Sequence, residues 1–172
     1  MFPEFLEEFK EGLEKYKLDC INIIATPLAE GESTEIKQSK FSGVPYLPVG
    51  MEYPRDSNNL PMVMLAQINF EEVPFIDNYP SRGIIQFFVT TNWIDIDYDV
   101  SNDRNIKVLY HDNLETDYQT DFSFLTDEML IHSPIVCEHK LNFVKKRSME
   151  ELKIFVSIFV SMVWTGLNIV SN

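Results

Sequence analysis

The apolar positions change period as the chain proceeds. Phe2, Phe5, Leu6, Phe9, Leu13 and Tyr16 recur every three or four residues, while Glu7, Glu8, Lys10, Glu11, Glu14 and Lys15 fill the other face. That spacing predicts an N-terminal amphipathic helix of about four turns, with Pro3 suited to its first turn. Its polar face is mostly acidic, which does not suit a helix lying on a membrane surface. Beyond it the pattern becomes that of strands. Residues 20–25 form a short apolar run that stops at Pro27. Pro45, Pro48 and Pro54 each lack a backbone donor and push the preceding residue to extended geometry, so residues 44–54 read as an ordered extended loop. Residues 62–69 and 84–91 are near-continuous apolar runs with one glutamine inside each, and they read as two central strands. Residues 106–111 and 135–144 read as further strands.

The C-terminal end has a different composition. Ser148 and Glu151 fit a capping box, and a helix from Met149 to Thr165 follows, with Gly166 as its stop. From Ile154 to Asn172 there is no charged residue. A helix apolar on every face must be buried in protein or in lipid. Three readings compete: a membrane anchor, a core helix, and the broken end of a longer fold. Lys145, Lys146, Arg147 and Lys153 just before it suit an anchor entered from the cytoplasmic side. A helix of that length spans about 26 Å, against ~30 Å of hydrocarbon. Residues 1–150 thus read as one domain containing both helix and sheet, and residues 151–172 as an apolar helical tail.

Composition narrows the function classes. At 172 residues the chain is one domain, long enough to bury a core without disulfides or metal. Its 27 acidic against 14 basic residues give a net charge of −13. Such a surface repels phosphate backbones, so nucleic acid is not an expected partner. A basic protein, a cationic ligand or a divalent cation would be attracted. The simpler reading is that the charge keeps a cytoplasmic protein soluble. Cys20 and Cys137 are the two cysteines, and the first residues lack the basic and apolar regions of a secretory signal. Both points favour a cytoplasmic location.

Three constellations are candidates for chemistry. Asp95, Asp97 and Asp99 alternate with Ile94, Ile96, Tyr98 and Val100, so the carboxylates share one face of a strand. They resemble the opening of a calcium loop, but Val100 and Ile106 stand where glycine and glutamate are needed. A solvated strand face or an acidic loop is the better reading. His132, Cys137 and His139 suggest zinc, or a thiol with its base, yet no fourth ligand and no C-x-x-C pair accompany them. Gln67 and Gln86 sit inside apolar runs, where an unpaired amide is costly. Alternation puts Gln67 on one face with Val63, Leu65 and Asn69, and Gln86 with Ile84 and Phe88. The amides either bond each other and fix strand register or line a ligand pocket. Phosphate-binding glycine loops, nucleophile elbows and H-E-x-x-H are absent. The sequence therefore leans away from an enzyme and points to no catalytic residue, metal or cofactor.

Several segments together resemble the YwqG-like family, a bacterial family of unknown function. They are Ser39-Lys40-Phe41-x-Gly43-x-Pro45-x-Leu47-Pro48, Leu65-Ala66-Gln67-Ile68-Asn69, Gly83-x-x-Gln86-Phe87-Phe88, the Val108–His111 strand and Lys140-Leu141-x-Phe143. Ser42 stands where a second glycine is usual, and Tyr53-Pro54 where Trp-Pro is common. The resemblance covers residues 1–150 and implies an α+β fold with a largely antiparallel sheet. Lys40, Gln67, Asn69 and Gln86 become candidate ligand-binding residues, and Asp95, Asp97 and Asp99 candidate partner contacts. Family members are longer, with a second half that echoes the first. The apolar tail begins where that half would start, so truncation is the leading reading of residues 154–172 and self-association its consequence. The resemblance implies no established activity. Some relatives resemble accessory proteins of secreted-toxin systems, which suggests a binding or immunity-type protein facing a basic partner. The rival is a small-molecule or metal-binding enzyme using the acidic strand face or a glutamine-lined pocket.

The tail readings separate by fractionation. An anchor keeps the full chain in a carbonate-resistant membrane pellet and leaves a chain ending at Arg147 soluble. A broken fold leaves the full chain soluble but aggregated, and the shorter chain no better.

Overall fold

The computed structural model describes residues 18–91, 106–126 and 135–148, with Gly12, Met129 and Ser133 as isolated positions. They build one six-stranded sheet. Its strands are β1 (Leu18–Pro27), β2 (Lys40–Phe41), β3 (Val63–Asn69), β4 (Ile84–Val89), β5 (Ile106–His111) and β6 (His139–Ser148). The spatial order is β1-β6-β2-β3-β4-β5, and every neighbouring pair is antiparallel. The only helical element completed by the described residues is a 3-10 turn at Phe70–Glu72. The α+β expectation is therefore corrected: what is described is an antiparallel β fold. Apart from the isolated Gly12, the helices expected at residues 2–16 and 149–165 lie outside the described residues. Among the described residues no helix is long and apolar enough to cross a membrane, and residues 154–172 lie outside them too.

The strands form where β-branched and aromatic side chains cluster between prolines and glycines. β3 and β4 lie inside the sheet, β5 spans the residues expected, and the last strand runs from His139 rather than residue 135. β2 has only two residues and joins the halves of the sheet, Lys40 pairing with Gln67 on one side and Lys140 on the other.

A β-bulge changes the expected faces. Between β3 and β4, Met64 pairs with Phe88 and Gln67 with Gln86, while the register shifts between Met64 and Ala66. Phe88 and Gln86 are two apart and share a face, so Met64 lies on the face of Gln67. Simple alternation had placed Leu65 and Val63 there; the extra residue at the bulge moves them. The Gln67 face carries the main apolar cluster of Leu47, Tyr53, Met62, Met64, Phe88 and Phe122. The other face holds Phe41, Ala66 and Leu141, with Phe87 and Phe143 half-buried beside them.

The loop at 44–54 is extended and ordered, as its prolines require. It lies over the Gln67 face and is itself held from above. Gln119 donates its backbone N–H to Leu47 O at 2.8 Å and its side chain to the carbonyls of Pro48 and Met51. Tyr53 donates its hydroxyl to Met62 O at 2.9 Å and stacks edge-on against Phe88 and Phe122.

Gly83 enters β4 with φ +89°, and a Cβ there would lie 2.5 Å from the backbone oxygen of His111. Backbone cannot swing aside as a side chain can. We expect Gly83→Ala to lower stability by about 2–3 kcal/mol in urea unfolding, through strain and the displacement of β5.

Candidate functional site

The polar residues singled out in the sequence come together. Lys40, Gln67 and Gln86 are successive partners across β2, β3 and β4, and Asn69 lies two residues beyond Gln67 on the same face. All four are buried: Lys40 is 1% exposed, both glutamines 0% and Asn69 7%. His111 at the end of β5 extends the row. Its Nε2 lies 3.0 Å from Gln86 Oε1, a carbonyl that only accepts, so this nitrogen carries the proton.

Gln67 uses every hydrogen-bonding capacity of its amide. Oε1 accepts from Tyr46 N–H and from Gln86 Nε2, each at 2.8 Å. Nε2 donates to Ile36 O at 2.8 Å and Gln38 O at 2.9 Å. Gln86 Nε2 also donates to Tyr46 O at 2.6 Å. Tyr46 is thus gripped by both backbone groups, fully buried, with its ring edge-on to His111. The two amides bond each other, and neither lines the groove beside the strap.

What the row holds is a strap. The carbonyls of Glu35, Ile36, Lys37 and Gln38 follow one another along the chain, and each accepts from a side chain of the row. Lys40 Nζ takes Glu35 O at 3.0 Å, Gln67 takes Ile36 O and Gln38 O, and Asn69 Nδ2 takes Lys37 O at 3.2 Å. Asn69 also accepts from Glu71 N–H at 3.0 Å, and Ser39 N–H donates to Glu72 Oε2 at 2.8 Å. Strap and 3-10 turn are therefore fixed side by side. Between them lies an open groove of about 440 Å3, lined by Glu35, Lys37, Gln38, Asn69, Glu71 and Glu72. Of the sequence candidates only Asn69 reaches it. The carboxylates of Glu35 and Glu71 bond no described side chain or backbone group, so they are available to a ligand.

Electrostatics follow burial. Desolvation pulls the Lys40 ammonium down to about 8, against the pull of the nearby Glu138 and Glu72 carboxylates in the other direction. Desolvation also holds His111 below its ordinary value. Glu138 sits over Gly43, where any Cβ would collide with it, and accepts from both Thr34 N–H and Thr34 Oγ1.

The remaining candidates do not join this site. Asp95, Asp97, Asp99 and His132 lie outside the described residues. Cys137 is exposed, and His139 Nδ1 lies 2.8 Å from the Cys137 carbonyl oxygen, with no described bond to the thiol. Among the described residues no three of His, Cys, Asp and Glu converge on one point. The strap, Tyr46, His111 and the glutamates of the turn went unrecognised as parts of the site. Asn69 two residues before Glu71 was a readable turn signal, because an asparagine carbonyl bonds the backbone two residues on.

Two outcomes test the row. Gln67→Leu removes four hydrogen bonds and strands the buried Tyr46 N–H, and we expect a loss of at least about 3 kcal/mol in urea unfolding. Lys40 gives a pH dependence. The unfolded chain keeps this proton up to 10.5, the folded protein only to about 8. Between those values the unfolded state binds more protons, so stability rises with pH. Urea midpoints at pH 8, 9 and 10 should rise more in the wild type than in Lys40→Met.

No curated protein matches the chain. A family match does cover residues 39–162, which begins just after the strap and takes in the whole polar row and five of the six strands. The chain belongs to the family described as "Domain of unknown function (DUF1963)".

Proposed function

We propose that this chain is a binding protein whose groove between strap and turn takes a basic segment of a partner protein. The observation that carries the reading is the groove itself. Glu35 from the strap and Glu71 from the turn both line it, each exposed and without a described side-chain partner, on backbone that the buried row holds in place. Preorganised carboxylates lose little entropy on binding, and a net charge of −13 steers cations toward them. A cytoplasmic location and YwqG-like membership belong to this reading, through the resemblance described above. So does an immunity-type role, in which the basic segment is part of a secreted toxin.

The test uses fluorescein-labelled decalysine and fluorescence anisotropy, with a glutamate decamer as control. We expect salt-dependent binding of the basic peptide alone, weakened at least about fivefold in Glu35→Gln/Glu71→Gln with unchanged melting temperature. Equal binding by wild type and the double variant would remove the groove from the mechanism.

A further inference from the structure

One cation is already held beside the groove. Lys37 lines it, and its Nζ lies over two tyrosine rings, 5.4 Å from the centroid of Tyr46 and 5.7 Å from that of Tyr118. The rings are 6.2 Å apart and tilted by 56°, so their faces form a wedge that the ammonium occupies. The same Nζ donates to Glu115 O at 2.9 Å. The wedge is built rather than incidental. Tyr46 is locked by Gln67 and Gln86, and its hydroxyl accepts from Glu115 N–H at 2.7 Å, which fixes the segment whose carbonyl receives the ammonium. Pro48 bridges Tyr118 from the loop.

Two aromatic faces and a carbonyl oxygen are the chemistry that recognises a primary ammonium. We propose that the Tyr46–Tyr118–Glu115 wedge is a lysine site for the basic partner, held in the free protein by Lys37 as a placeholder. This rests on the groove being the basic-segment site. Lys37 lies on the surface strap and is only half-buried. Its release leaves a solvated lysine and costs no buried group, so an incoming lysine flanked by further cations that meet Glu35 and Glu71 can replace it.

The experiment removes the placeholder. Lys37→Ala should bind decalysine about tenfold tighter than wild type, and n-butylammonium should raise its melting temperature saturably while leaving the wild type unmoved. Tyr118→Leu in the Lys37→Ala background should abolish both effects, and Tyr118→Phe should keep them, because the ring face is what binds. Lys37→Met, which retains most of the stem, is the second variant if Lys37→Ala melts too low to assay. A gain in decalysine affinity that survives Tyr118→Leu would reflect removal of a like charge alone and would overturn the proposal. So would the absence of any butylammonium response in both Lys37 variants. The groove reading fails separately, if wild type and Glu35→Gln/Glu71→Gln bind decalysine alike while butylammonium still stabilises Lys37→Ala.

Discussion

The amide of Gln67 ties together more of this fold than any apolar contact does. It sits at 0% exposure in the middle of the sheet, and its two lone pairs and two N–H groups go to four different groups. Those groups belong to the loop over the sheet, the neighbouring strand and two points on the strap. An amide in an apolar interior costs several kcal/mol when unpaired and little when all its bonds are made. Loop, strand and strap must therefore all be in place before the interior is satisfied. That requirement couples three segments far apart in sequence.

The same coupling explains why a surface groove can be well formed. A strap of turns has little apolar area to bury and would ordinarily be among the most mobile parts of a chain. Here the carbonyls from Glu35 to Gln38 each end on a side chain anchored in β2 or β3. The groove inherits the rigidity of the sheet. Its carboxylates, its placeholder lysine and the tyrosine wedge then keep a fixed geometry without a helix or a disulfide. The buried ammonium of Lys40 is the expensive part of this arrangement, since desolvation works against its charge while Glu72 and Glu138 sustain it.

Legibility differed from part to part. The strand segments were visible because apolar runs and proline positions report local geometry, and β5 was read to the residue. β2 was not, because a two-residue strand has no period of its own and exists through its partners. The α+β class failed because the described residues pair into one antiparallel sheet with a single 3-10 turn. The face of Gln67 was misassigned because a bulge is set by pairing across strands and leaves no mark in simple alternation. Ser42 is instructive in the other direction. It takes φ +60° at the position where the resemblance led to the expectation of glycine, a left-handed position that serine occupies at some cost in strain.

By itself, then, the sequence determined the strand segments, the extended loop, the acidic balance and which polar side chains were buried among apolar ones. These follow from residue type and short-range spacing, which the chain carries wherever it goes. Only the tertiary structure decided what those buried groups do. Gln67 and Gln86 read either as amides that bond each other or as pocket lining, with Lys40 and Asn69 as further ligand candidates; in the fold Lys40, Gln67 and Asn69 hold the strap and Gln86 holds Tyr46. Hydrogen-bond partners 29 to 40 residues away in sequence, such as Gln38 for Gln67 and Tyr46 for Gln86, are fixed by sheet order and register. No local pattern encodes them, because they exist only once distant strands have been brought side by side.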